Sequence, residues 1–137
     1  MSVQDNKKVV KDLFDAISKG DVAAISALTT DDVTWWVAPN NKFSGLHSKS
    51  AWLEIIPQLF AGAAGPLTFR IDEVTAEDDR VSMTAKGHLL LRSGKVYESD
   101  YHFLLWVRDG KVSACKEYAD SVHIGQIFGF PEELAVA

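Results

Sequence analysis

One histidine and one glutamate near the end of the chain have the types and the spacing of an acid/base pair. His102 and Glu117 lie on two apolar segments joined by an Asp-Gly dipeptide at 109–110, which is typical of a two-residue hairpin turn. If Arg108 pairs with Lys111 beside that turn, strand alternation sets His102 opposite Glu117. A carboxylate next to an imidazole fixes its tautomer and raises its basicity, which suits proton transfer near neutral pH.

Each acidic candidate also has a structural interpretation. The His102–Glu117 pair would be worth only about 0.2–1 kcal/mol as an ordinary cross-strand contact, and Glu117 could instead be a base whose pKa is raised by burial. Asp100 shares the predicted face of His102, or is simply exposed at the start of its strand. Asp120 ends the last strand, where a carboxylate often caps the next element. The candidate catalytic residues are therefore His102, Glu117, Asp100 and Asp120.

The first half of the chain is predicted to be mainly helical. Apolar residues at helical spacing predict a helix over 5–19, begun by Asp5 as its N-cap, and a second, short helix follows Asp21. The segment VTWWVAP at 33–39 predicts a strand, and AWLEIIPQLF at 51–60 predicts a third helix. The predicted helices must supply the surface against which a sheet packs.

The second half is predicted to be a sheet. From Leu67 onward four strand-like segments follow, with Gly-containing two-residue turns at 93–94 and 109–110. Helices followed by an antiparallel meander predict an α+β domain with its helices on one face of a curved sheet.

The two predicted turns also divide the strand residues between two faces, because a tight turn fixes the register. The face predicted to point inward carries Ala85, Gly87, Asp100, His102, Leu104, Trp106, Cys115, Glu117 and Ala119. The opposite face carries Lys86, His88, Leu90, Tyr97, Ser99, Tyr101, Phe103, Leu105, Val107, Val112, Tyr118 and Asp120. Small residues beside polar ones favour a ligand cavity on the first face. The aromatic and aliphatic second face favours a homodimer contact. A single β-bulge would exchange the faces beyond it.

Large aromatic residues are the natural walls for a cyclic ligand. Trp35 and Trp36 point to opposite sides of their strand, so one of them should face the interior as a flat apolar surface, although such a residue often only fills a core. The residues expected from the strands to contact a substrate are Trp35, Trp36, Leu104, Trp106 and Ala119.

Composition excludes several classes of partner. The net charge of −5 and the pI near 5.3 argue against nucleic acid and anionic membrane surfaces as partners. The sequence contains neither a His-x-x-x-His nor a Cys-x-x-Cys spacing, so no metal site is predicted. The single cysteine, Cys115, allows no internal disulfide. The start of the chain lacks an apolar signal-peptide core, and no apolar run is long enough to span a membrane. We therefore expect one cytoplasmic domain over 1–137 without a metal or an organic cofactor.

Three segments together resemble a known family. SKGDVAAISALTTDDVTWW, FSGLHSKSAWLEIIPQLF and GKVSACKEYADS are similar, in their order and spacing, to the SnoaL-like branch of the nuclear-transport-factor-2-like superfamily, and the resemblance covers nearly the whole chain. It implies a cone-shaped fold in which a strongly curved sheet wraps helices and encloses an apolar pocket. Members include ketosteroid isomerases, limonene epoxide hydrolases, scytalone dehydratase and polyketide cyclases.

The catalytic groups of the isomerases are not reproduced. Their helix-1 tyrosine position falls on Leu13, their carboxylate base on Trp36 or Val37, and their protonated acid on His102. This correspondence argues against steroid isomerisation by the known arrangement, but it adds Leu13 to the expected pocket and supports His102 there.

The epoxide hydrolase arrangement is also not reproduced, whereas the cyclase arrangement leaves two candidates. The final aspartate of the epoxide hydrolases falls on Asp120, but their preceding Arg and Asp would fall within 84–88, which contains no carboxylate. A buried aspartate of the cyclase type could be Asp100 or Asp120.

The resemblance implies a small-molecule-binding protein. We expect acid/base catalysis of the isomerase, cyclase, dehydratase or hydrolase type on an apolar cyclic substrate in an enclosed pocket. The alternative is a non-catalytic ligand-binding or dimerisation module on the same fold, because function depends on the site rather than on the fold.

Overall fold

The structure is a computed structural model that describes residues 2–131. Within this range the helices are α1 (Val3–Lys19), α2 (Val22–Ala27), α3 (Lys49–Phe60) and α4 (Ser121–Phe128). The strands are β1 (Thr29–Val37), β2 (Gly45–Ser48), β3 (Thr68–Glu77), β4 (Arg80–Leu90), β5 (Val96–Arg108) and β6 (Lys111–Ala119). None of these helices combines the length and the apolar character needed to cross a bilayer.

Helix α1 is fixed at both ends by capping. Ser2 is its N-cap, and Asp5 closes a capping box with it, so the prediction of Asp5 as the N-cap is wrong by one helical turn. Gly20 ends the helix in the left-handed conformation, with a φ of 64°, which a residue without a Cβ adopts at little cost. The inward side of the helix buries Val10, Leu13, Phe14, Ala16 and Ile17.

All six strands form one curved sheet in the order β2-β1-β6-β5-β4-β3. Neighbouring strands are antiparallel except β1 and β6, which are parallel. Helix α1 packs against β3 and β4, α3 against β1, and α4 against β5, so the core lies between the helices and one sheet face. The predicted α+β architecture is confirmed.

Both hairpins around β5 are offset by one residue from the predicted register. Leu91 pairs with Lys95 around a three-residue loop, and Gly94 in that loop has a φ of 90°. The second turn does contain only Asp109 and Gly110, both with positive φ, as predicted. Three residues later, however, Ser113 is an extra residue on β6, and the register shifts there.

Because of these two offsets, the β5 residues that were predicted to face inward face outward, and those that were predicted to face outward face inward. His102 lies opposite Thr84 and Tyr118 rather than opposite Ala85 and Glu117. The predicted His102–Glu117 pair is therefore wrong, because Glu117 lies opposite Phe103 instead.

The corrected inner face combines residues from both predicted sets. From β4 and β6 it keeps Ala85, Gly87, Cys115, Glu117 and Ala119. From β5 it takes Tyr97, Ser99, Tyr101, Phe103, Leu105 and Val107, which were assigned to a dimer contact and which instead line the interior. Asp100, His102, Leu104 and Trp106 lie on the outer face.

Candidate functional site

A mainly apolar cavity lies between the inner sheet face and the helices. Its volume is about 70 Å³, room for about five water-sized molecules. Half of the lining residues are aromatic: Phe14, Trp35, Phe43, Trp52, Phe69, Tyr97, Tyr101, Phe103 and Phe128. Such walls favour a small ligand with an apolar body.

Glu117 is the carboxylate of this cavity. It projects from β6, and its Oε1 accepts a hydrogen bond from the indole Nε1 of Trp35 at 3.0 Å. The residue keeps some accessible surface because it borders the cavity, while the carboxyl group itself lies deep inside the fold. Burial raises the pKa of Glu117 to about 7, and the Trp35 hydrogen bond acts in the opposite direction. Near neutral pH the group can therefore both accept and donate a proton.

Two tyrosines place neutral hydroxyl groups near this carboxyl. Tyr97 and Tyr101 project from β5, and their hydroxyls are hydrogen-bonded to each other. Burial raises the pKa of both hydroxyls, and the negative charge of Glu117 raises them further. Tyr101 pairs with Ala119, so it is a diagonal neighbour of Glu117 on the inner face. The polar groups of the cavity are thus concentrated on β5 and β6.

Helix α4 closes one end of the cavity. Its residues Ile124 and Phe128 line the wall, and Phe128 packs edge-on against Phe43 of the 38–44 loop. The ring of His123 stacks on Tyr97, and its Nε2 accepts the backbone N–H of Glu98. These contacts hold the helix over the tyrosine pair.

The predicted carboxylates other than Glu117 lie outside the cavity. Asp120 is exposed and is the N-cap of α4, where its side chain accepts the N–H of His123. Asp100 is exposed on the outer face within 3.6 Å of the Lys86 ammonium. Both occupy the positions that their structural interpretations describe.

His102 is also exposed, and its Nε2 lies 2.7 Å from the hydroxyl of Ser82 on the outer face. The imidazole is therefore separated from Glu117 by the sheet. The offset registers described above are the physical reason.

The predicted substrate contacts are divided in the same way. Trp35 lines the cavity, as expected for one of the two neighbouring tryptophans. Leu13 is fully buried and Ala119 packs against the core, but neither lines the cavity. Trp36, Leu104 and Trp106 lie on the outer face, where Trp36 packs edge-on against Tyr118.

Sequence reasoning missed the tyrosine pair. Tyr97 and Tyr101 were placed on the outer face because the loop before β5 was counted as two residues. The alternation of Tyr97, Ser99 and Tyr101 with Glu98 and Asp100 is the signal that identifies the buried side of β5.

No group of three or more His, Cys, Asp or Glu side chains in residues 2–131 is arranged to hold a metal ion. The polar side-chain groups of the described residues that line this site are one carboxyl group, two phenolic hydroxyls and the indole N–H groups of Trp35 and Trp52.

Comparison with known structures identifies the same fold elsewhere. A nuclear-transport-factor-2-like protein from Burkholderia xenovorans is 24% identical, with a TM-score of 0.76, over 93% of this chain and 98% of that one. A protein of unknown function with a cystatin-like fold from Xanthomonas campestris is 23% identical, with a TM-score of 0.79, over 90% and 98%. PrhC from Penicillium brasilianum is 16% identical, with a TM-score of 0.82, over 91% and 86%.

A family model places the chain more specifically. None of the curated protein sequences matches the chain. The model of the SnoaL-like domain, in contrast, matches residues 10–115, which include Trp35 and end just before Glu117. The chain belongs to the SnoaL-like domain family.

Proposed function

We propose that this protein binds a small, largely apolar molecule in its inner cavity and moves a proton to or from it with Glu117. The observation that carries the proposal is a carboxyl group with a pKa of about 7 bordering an aromatic cavity. A general acid or base works best when its pKa lies near the working pH. Isomerisation, cyclisation, dehydration and epoxide opening all use such a group.

The tyrosine pair supports the same chemistry. Because Tyr97 and Tyr101 remain neutral and one hydroxyl donates to the other, the pair keeps one O–H that can donate a hydrogen bond to a ligand oxygen on which negative charge develops. The surrounding walls are mainly apolar, and hydrogen bonds to a charged oxygen are stronger in such surroundings than in water. A cyclic ketone, enone or epoxide has both the apolar body and the oxygen that this arrangement suits.

Solvent exchange of carbon-bound hydrogen gives a direct test. We expect the protein to accelerate deuterium exchange in D₂O, followed by NMR, for at least one member of a panel of cyclic ketones and enones. Glu117→Gln should slow that exchange about 100-fold or more, the contribution typical of a general base. His102→Ala is the control and should leave the rate unchanged, because its side chain lies on the outer face. Equal rates in the wild type and Glu117→Gln would contradict the proposal.

The second candidate is a non-catalytic ligand-binding module. The observation that favours it is the cavity volume of about 70 Å³, which is below the roughly 300–1,000 Å³ of typical small-molecule sites. Panel members that bind, as seen by quenching of tryptophan fluorescence, but show no accelerated exchange would support the module.

We also propose a homodimer in a reducing cytoplasm, where Cys115 would remain a free thiol. The dimer contact is the outer sheet face, which presents Trp36, Leu104, Trp106, Ala114 and Tyr118. Aromatic residues are enriched in interface cores. Around them lie charges of both signs, including Lys86, Lys116, Glu98 and Asp100, so two-fold related copies can oppose unlike charges.

Light scattering checks this dimer. We expect a dimer at micromolar concentration for the wild type and a monomer for Trp106→Glu, because a charge in the centre of the contact is left desolvated. Lys11→Glu, on the exposed side of α1, should leave the dimer intact. A wild-type monomer at high micromolar concentration would refute the contact.

A further inference from the structure

Trp35 and Glu117 lie side by side on the cavity wall. In the parallel pairing of β1 with β6, Trp35 lies opposite Cys115 and Val37 lies opposite Glu117, so the two side chains are diagonal neighbours on the inner face. The distance between the indole Nε1 and the carboxylate Oε1 is 3.0 Å. An indole N–H can only donate a hydrogen bond and carries no charge at any pH. Trp35 is therefore the donor of this bond and Glu117 its acceptor.

The indole ring is held in place by its neighbours. It is 2% exposed and stacks face to face on Trp52 of α3, with 4.1 Å between ring centroids and 10° between planes. Phe14 and Phe103 pack at an angle on it at 6.3 and 6.4 Å. Because the ring is buried and closely packed against these neighbours, it cannot turn its N–H away from Glu117 without disrupting the core.

The second carboxylate oxygen is in a different position. Among the described residues, Oε1 is the only oxygen of the Glu117 side chain with a hydrogen-bond partner. No fully buried side-chain polar atom in this part of the chain lacks a partner. Oε2 therefore has accessible space beside it, and Glu117 borders the cavity.

We propose that Trp35 is the positioning residue of this site: its N–H ties one oxygen of Glu117 to the wall, so that a single, defined oxygen faces the ligand. The inference rests on the proposed function and goes beyond it, because it assigns different tasks to the two oxygens. One free oxygen suits the transfer of one proton. It does not suit a guanidinium ligand, which binds a carboxylate through both oxygens.

Nitrogen NMR of the indole groups tests the contact without any ligand. The chain has four tryptophans and thus four indole N–H signals. We expect the signal that Trp35→Phe removes to shift with pH around a midpoint near 7, because its acceptor changes charge there. In Glu117→Gln the same signal should remain and stop titrating. A Trp35 signal that is static between pH 5 and 9, or that titrates equally in Glu117→Gln, would overturn the proposal.

Two phenylalanine variants separate positioning from packing. Trp35→Phe keeps an aromatic ring but removes the donor, so the midpoint of the Glu117 carboxyl ¹³C signal should rise by about one pH unit, the size expected for loss of a hydrogen bond to a charged group. Trp52→Phe weakens the stack but leaves the donor, and the midpoint should stay within about 0.3 of the wild type, well inside that one-unit effect. Equal midpoints in the two variants would contradict the role of Trp35.

These outcomes are independent of catalysis. If no panel compound undergoes exchange but the indole signal titrates with Glu117, the proposed function fails and the positioning contact stands. If exchange depends on Glu117 while the indole signal is static, the proposed function stands and the role of Trp35 fails.

Discussion

Glu117→Gln should stabilise the protein by about 3 kcal/mol at pH 8 and leave its stability nearly unchanged at pH 4. The pKa of this carboxyl is about 7 in the folded protein against a model value of 4.5, and each pKa unit corresponds to about 1.4 kcal/mol. An ionised carboxylate without a nearby cation is costly inside an apolar cavity. Glutamine keeps an oxygen for the Trp35 N–H but carries no charge.

The sign of the pH dependence follows from proton binding. Between about pH 4.5 and 7 the folded state retains a proton on Glu117 that the unfolded chain has released, so Glu117 makes the free energy of unfolding fall as pH rises. Below about pH 4.5 Glu117 is protonated in both the folded and the unfolded state. Above about pH 7 it is ionised in both, and the full free-energy cost of the buried charge persists. The difference between the wild type and Glu117→Gln isolates this group from the other acids.

Urea unfolding at pH 4, 6 and 8 measures that difference. The difference in the free energy of unfolding between the wild type and Glu117→Gln should grow between about pH 4.5 and 7 and then stay constant. A difference that is independent of pH, or a variant less stable than the wild type at pH 8, would show that burial does not raise the pKa of Glu117.

Phe103→Ala should cost about 3–5 kcal/mol, whereas His102→Ala should change the free energy of unfolding by less than about 0.5 kcal/mol. Phe103 is 1% exposed and packs against Phe14, Trp35 and Tyr101. His102 lies on the opposite face, where it is exposed and contacts the Ser82 hydroxyl and the Tyr118 ring. The large difference reflects the cavity that loss of a buried aromatic ring leaves behind.

Chemical denaturation of these two variants also tests the register of β5. The pairing expected from two-residue turns would have placed His102 inside and Phe103 outside. A large loss of stability in His102→Ala together with a small loss in Phe103→Ala would restore that pairing and remove the site described above.

Much of the fold could be predicted from local signals. The helical spacing in 5–19, the strand VTWWVAP at 33–39 and the Asp109-Gly110 turn each follow from short-range chemistry. The helix and the turn are present, and the strand spans Thr29–Val37 rather than 33–39. The extra residue at Ser113 could not be predicted, because a bulge depends on packing of the whole sheet rather than on a local pattern.

The candidate site was predicted in part for the same reason. Glu117 and Trp35 were placed in the pocket and do line it, but their contact joins β6 to β1 across 82 positions of sequence. The parallel β1–β6 register could not be predicted from the sequence, since no turn connects the two strands. Tyr97 and Tyr101 were not predicted as cavity residues, because the one-residue error in the register of β5 placed them on the outer face.

The position of Glu117 is difficult to explain by stability alone. The expected cost of its ionised carboxyl at pH 8, about 3 kcal/mol, is a large fraction of the free energy of unfolding of a small domain. Perturbed carboxyl groups in cavities are more common at functional sites than elsewhere. A polar group that weakens the fold and borders its cavity is the expected signature of a stability–activity trade-off.

The most direct test is the titration of the Glu117 carboxyl carbon by ¹³C NMR in glutamate-labelled protein, with Glu117→Gln identifying the signal. We expect one glutamate signal with a midpoint near pH 7 that disappears in the variant. A midpoint near 4.5 would mean that the group is solvated and ordinary, and the proposed proton transfer in an apolar cavity would be contradicted.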